Sequence, residues 1–81
     1  MPKALVFINT KSGSVGVVKD LQKVEGVSEA HSSRGVYDAV AMVQADSFSK
    51  VKEIVSRQIR SIDSVNATLT LTLVESPASL G

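Results

Sequence analysis

Cysteine and tryptophan are absent from this 81-residue chain, and it has a single histidine, His31. No disulfide framework can form, and one histidine cannot build a tetrahedral nitrogen and sulfur metal site. A chain this short buries only about 60–65% of the surface its unfolded form exposes, so small domains lean on disulfides, metals or oligomerisation. With the first two excluded, association with further copies is left. Aromatic residues make up 4% of the chain against 43% hydrophobic residues, so the core must be aliphatic. The same scarcity weighs against a stacking surface for single-stranded nucleic acid. Lys plus Arg number 9 against 8 Asp plus Glu, and a net charge of +1 gives no general attraction to nucleic acid or anionic lipid. No apolar run approaches the roughly 18 residues that span a bilayer. The start, Met1-Pro2-Lys3 and five apolar residues, is too short for a signal peptide. The reading is a cytoplasmic protein with no membrane and no direct nucleic-acid partner.

The pattern that is present alternates strands and helices. Residues 4–8, Ala-Leu-Val-Phe-Ile, form a continuous apolar run that predicts a strand buried on both faces. Ser14 is a plausible cap for a helix with Val15, Val18, Leu21 and Val24 as its apolar stripe, and Gly26 suits its exit. Residues 27–33 read as an edge strand and Tyr37 to Ala45 as a well-buried one, joined into a hairpin by the turn Arg34-Gly35-Val36. On that second strand, Tyr37, Ala39, Ala41 and Val43 are expected on one face. Asp46 or Ser47 caps a second helix whose stripe is Phe48, Val51, Ile54, Val55, Ile59 and Ile62. Its basic residues, Lys50, Lys52, Arg57 and Arg60, read as a solvated face. The last strand, Val65 to Val74, places Leu69, Leu71 and Leu73 opposite Thr68, Thr70 and Thr72.

The order β-α-β-β-α-β predicts an α+β, ferredoxin-like fold with an antiparallel sheet, whose first and third strands are central and whose helices share one face. The first strand carries Leu5 and Phe7 on one face and Val6 and Ile8 on the other, and the helices can cover only one of these. A second copy packed sheet to sheet would cover the rest, at roughly 25 cal/mol per Å² of apolar surface. A symmetric homodimer, the dimeric α+β barrel, is the expected assembly.

Three local signatures now coincide with that order. They are Gly26-Val27-Ser28-Glu29-Ala30-His31, Arg34-Gly35-Val36-Tyr37-Asp38, and Val65-Asn66-Ala67-Thr68-Leu69-Thr70. Together they resemble the amino-acid-binding (RAM) domain of the leucine-responsive/AsnC transcription regulators, over residues 4–75. Residues 1–75 are therefore taken as that domain and residues 76–81 as a C-terminal tail. The family's regulators carry a helix-turn-helix domain in front of this module, and here the module begins at residue 4. The chain is accordingly similar to the stand-alone members. That resemblance implies an amino-acid effector, dimers assembling into octamers or larger rings, and full-length regulators of the family as partners. It implies a sensor acting as a transcription co-regulator or metabolic regulator, with no cofactor. One departure stands out. Asp63-Ser64 occupies the place where the family often has Pro-Gly before the last strand.

An amino acid offers a carboxylate, an ammonium and a side chain. The amides of a turn containing Gly35 suit a carboxylate, Arg34 is a second partner for it, and Asp38 suits the ammonium. Thr68 and Thr70 share a strand face and offer hydroxyls. By resemblance, Gly35, Tyr37 and Asp38 with Thr68 and Thr70 match the effector-site region. Residues alone favour a plainer account, in which Gly35 turns the hairpin, Asp38 closes it and threonines merely suit strands. The resemblance reverses that preference for the hairpin and leaves the threonines open.

Catalytic candidates are few. His31 has no carboxylate or nucleophile motif near it and reads as a half-exposed edge-strand residue with a structural role. Lys11 to Gly16 lacks the Gly-Lys-Ser/Thr ending of a phosphate loop. The chain is read as a non-enzyme with no catalytic or metal residues. The alternative is a small α+β barrel enzyme of the monooxygenase or isomerase type, since fold alone does not fix function.

Overall fold

The structure, a computed structural model, describes residues 2–11 and 16–73. The apolar run at the start is strand β1, Lys3–Thr10. A short helix α1, Val17–Gln22, leads to β2, Val27–Ser32, and β3, Ala39–Gln44. Helix α2, Phe48–Glu53, continues directly into a π-helical segment, Ile54–Ile59, before β4, Val65–Leu73. The sheet order is β2-β3-β1-β4 with antiparallel neighbours throughout. This is the ferredoxin-like α+β arrangement read from the sequence, with β1 and β3 central.

Register along β1 sorts the two faces. Val6 stands between Ala41 and Thr70, and Ile8 between Ala39 and Thr68, on the helix side. Leu5 stands between Met42 and Leu71, and Phe7 between Val40 and Leu69, on the other side. The helix side is the core: Ala4, Val6, Ile8, Ala39, Ala41 and Val43 pack with Val17, Leu21, Val51, Ile54, Val55 and Ile59. Opposite them, Leu5, Phe7, Val40 and Met42 are half-buried, and Leu69, Leu71 and Leu73 are 45%, 46% and 39% exposed.

Several local expectations need correction. In α1 the fully buried residues are Val17 and Leu21, one turn apart; Val18 and Val24 only flank them, and Ser14 and Val15 lie outside the described residues. Phe48 leaves the apolar stripe at 46% exposure, because it holds the first helical position and Val51 begins the buried row. Ile62 falls beyond the helix, in the turn where its amide donates to Ile59 O (3.1 Å). Between Asp46 and Ser47, Ser47 is the cap, its hydroxyl accepting from Lys50 N at 3.1 Å.

The hairpin is longer than a three-residue turn. Ser32 and Ala39 are its last strand pair, and Ser33 N donates to Asp38 O at 2.8 Å. Tyr37 therefore precedes the pleat of β3. Its ring does not join Ala39 on the helix side but meets Phe7, with centroids 5.4 Å apart and planes tilted by 45°.

The turn at Asp63-Ser64 also has a definite form. Among the described residues, positive φ occurs only at Gly26 and Gly35, so Ser64 adopts no left-handed conformation. Val65 N donates to Ile62 O (2.9 Å) and Lys11 N donates to Ser64 O (2.9 Å), which ties the turn to the end of β1.

Candidate functional site

The hairpin loop is built from a pinned side and an open side. Asp38 is the pin: its amide donates to Ile8 O at 2.9 Å, and its Oδ2 accepts from Thr10 N at 2.7 Å and Thr10 Oγ1 at 3.1 Å. A carboxylate accepting two donors from one residue holds the loop against the end of β1. Gly35 is on the open side, at φ 108°, and a Cβ there would meet nothing within 4 Å. Arg34 is exposed, and Val36 is 82% exposed. Tyr37 is half-buried against Phe7. Arg34, Gly35, Tyr37 and Asp38 thus share one loop, with Arg34 and Gly35 exposed and Tyr37 and Asp38 half-buried.

The two threonines stand elsewhere. Thr68 and Thr70 are half-buried on the helix side of β4, and with Thr72, Lys52, Val55, Ser56 and Arg60 they line a groove of about 500 Å³. Strand β1 separates them from the hairpin, since Ile8 has Ala39 on one flank and Thr68 on the other. Two strand spacings are roughly 9–10 Å. One protomer therefore does not bring the hairpin and the threonine row together.

Two partnerships were not legible from residue order. Thr10 is the residue that engages Asp38, although 28 positions separate them. Lys52, Ser56 and Arg60 border the threonines because the helix runs alongside β4 in the completed fold. His31 lies with Nε2 at 3.2 Å from Glu29 Oε1, both side chains about two-thirds exposed. Among the described residues no three His, Asp or Glu side chains are grouped to hold a metal ion. Among the same residues no helix is long and apolar enough to cross a membrane.

Residues 3–79 match the family model described as the Lrp/AsnC ligand binding domain. The chain belongs to that family. No curated protein matches it. Among solved structures it is similar to TTHA0845 from Thermus thermophilus, at 27% identity and a TM-score of 0.86, covering 95% of this chain and 98% of that one. It is similar to AsnC of E. coli at 23% identity and a TM-score of 0.84, covering 94% of this chain and 52% of that one. It is also similar to the feast or famine regulatory protein Rv3291c of M. tuberculosis complexed with L-methionine, at 22% identity and a TM-score of 0.78, covering 94% of this chain and 52% of that one. The chain thus spans about half the length of AsnC and Rv3291c and nearly all of TTHA0845. Domains of this family bind ligands in a regulatory setting.

Proposed function

We propose that this domain senses an amino acid at its β2–β3 hairpin and acts, in the cytoplasm and without catalysis, as a co-regulator through its assembly with other chains. The observation that carries the reading is the hairpin itself. A rigidly pinned loop presents an unhindered Gly35 turn beside the exposed Arg34, in a chain whose family is defined by ligand binding. The turn amides and Arg34 answer a carboxylate. The second oxygen of Asp38, Oδ1, has no partner among the described residues and answers an ammonium. Tyr37, fixed by Phe7, offers a wall for the side chain. The methionine complex of Rv3291c supports the ligand class.

Assembly enters for a geometric reason. Thr68 and Thr70 reach a hairpin-bound ligand only if they come from another copy, since β1 separates them within one protomer. The apolar sheet face with Leu5, Phe7, Leu69 and Leu71 is where a second copy packs as a dimer; Thr68 and Thr70 lie on the opposite, helix side, so they would come from a neighbouring dimer in a ring of dimers. Full-length regulators of the family, sharing the same face, are the partners through which transcription would be reached.

The test is a thermal-shift screen against the twenty amino acids, followed by calorimetry on any that stabilise the chain. Saturable binding of one or a few is expected. A folded, assembled protein that binds none at millimolar concentration would remove the sensor reading.

A further inference from the structure

The Phe7–Tyr37 ring pair joins two surfaces that the fold otherwise keeps apart. Phe7 lies on the sheet face that no helix covers, level with Val40 on β3 and Leu69 on β4. Tyr37 belongs to the hairpin loop and comes immediately before Asp38. The ring centroids are 5.4 Å apart, and both residues are half-buried. Among the described residues the Tyr37 hydroxyl has no hydrogen bond, so the contact with Phe7 directs its side chain.

Tyr37 stands between a tied base and an open tip. At the base, the Asp38 amide donates to Ile8 O at 2.9 Å and the carboxylate accepts from Thr10. At the tip, a Cβ on Gly35 would meet nothing within 4 Å, and Val36 is 82% exposed. Phe7, which directs Tyr37, keeps part of its own surface in solvent until the sheet face is covered. A ring pair on an open face retains rotamer freedom, and close packing of a second copy over Phe7 removes it. The entropy of fixing Tyr37 is then lost on assembly, before a ligand arrives, and the ligand binds a loop already ordered. The Asp38 clasp cannot carry this effect, because its partners lie in β1 of the same chain and are engaged without a second copy.

We infer that Phe7 is a positioning residue for the effector loop, and that sheet-to-sheet assembly and effector binding reinforce each other through Tyr37. The inference rests on the effector reading and the dimer proposed above, and it adds the route between them. Linkage makes the effect reciprocal. If a second copy raises affinity for the amino acid, the amino acid tightens the pair of copies by the same factor. A hairpin independent of the sheet face would show neither effect.

Tyr37 is the single tyrosine of a chain without tryptophan, so emission from the unmodified full chain reports this contact alone. On dilution, the Tyr37 signal should change in step with dissociation of the copies, followed by sedimentation. An amino acid found to bind by calorimetry should tighten that association by at least about five-fold. F7L keeps the face apolar and removes the ring; it should still assemble, yet bind the amino acid at least about five-fold more weakly. The dilution and association measurements use the parent alone and stand whether or not F7L folds. A parent that never associates overturns the dimer and the inference together. An amino acid that binds without altering association, or binds F7L as tightly as the parent, overturns the inference and leaves the sensor reading standing. A Tyr37 signal unchanged across dissociation overturns it with no ligand present. Failure of every amino acid to bind removes the sensor reading instead, and the Tyr37 signal still decides whether the loop answers to the sheet face.

Discussion

Asp38 and Thr10 are joined twice, the carboxylate Oδ2 accepting the Thr10 amide at 2.7 Å and the Thr10 hydroxyl at 3.1 Å. The pair fastens the hairpin loop to the end of β1, so the residue chosen as an ammonium partner is first a structural clasp. Asp38→Ala strands a part-buried amide, and the expected cost is about 1.5–3 kcal/mol in unfolding free energy. Thr10→Val keeps the amide bond and loses only the hydroxyl, for about 0.5–1.5 kcal/mol. Urea denaturation of both variants checks the order. Equal stability of Asp38→Ala and the parent would show that the clasp does not hold in solution.

Gly26 and Gly35 both have positive φ, at 99° and 108°, but their surroundings differ. A Cβ on Gly26 would come within 2.6 Å of Ile54 Cδ1 and 3.3 Å of Gln44 O; one on Gly35 would meet nothing within 4 Å. Gly35→Ala should therefore cost only the backbone strain of about 1–2 kcal/mol, and Gly26→Ala measurably more. Thermal midpoints of the two variants decide it, and a reversed order would contradict the packing around Ile54. Gly35→Ala is also the cleaner probe of ligand binding, since it adds a methyl at the open turn with little else disturbed.

Strand order and the facing of β1 and β4 were legible because period-two apolar patterning fixes register wherever one face is buried. Leu5 and Phe7 fall opposite Val6 and Ile8, as alternation requires. Alternation failed at Tyr37, where the chain has left the strand and a tertiary contact with Phe7 sets the ring's direction. Helical spacing likewise failed at Phe48, which it puts on the buried stripe although the residue is 46% exposed. The hairpin was legible as a motif, but the Asp38–Thr10 clasp was not, because pairing across 28 residues depends on the completed sheet. The cationic border of the threonine row was hidden for the same reason. Charge on a helix reads as solvated until the fold shows which strand runs beside it.

The apolar sheet face calls for an assembly test. Leu69 and Leu71, 45% and 46% exposed, extend the half-buried Leu5, Phe7, Val40 and Met42 into one apolar surface, with Lys3 and Glu29 at its borders. Leu71→Asp places a charge on this face, on the edge strand β4, without opening a cavity in the helix-side core. The parent should sediment as a dimer or a larger ring of dimers, and Leu71→Asp should shift toward a folded monomer. A parent that is monomeric at about 100 μM, with a Kd therefore weaker than that, would refute the sheet-to-sheet interface.

Ser64 stands in the turn before β4, and its hydroxyl oxygen is enclosed with no hydrogen-bond partner among the described residues. Its φ is not positive, so the turn has no need of glycine here. Ser64→Ala removes an unsatisfied polar atom while keeping the backbone restricted, and should be neutral or stabilising by up to about 1 kcal/mol. Ser64→Gly removes the same hydroxyl but widens the unfolded ensemble, at a cost of about 0.4–1 kcal/mol relative to alanine. The two variants therefore separate polar burial from backbone entropy at one position. If denaturation midpoints instead rank Ser64→Gly above Ser64→Ala, the turn prefers a left-handed conformation in solution and the path from Ile62 into β4 differs from the one described.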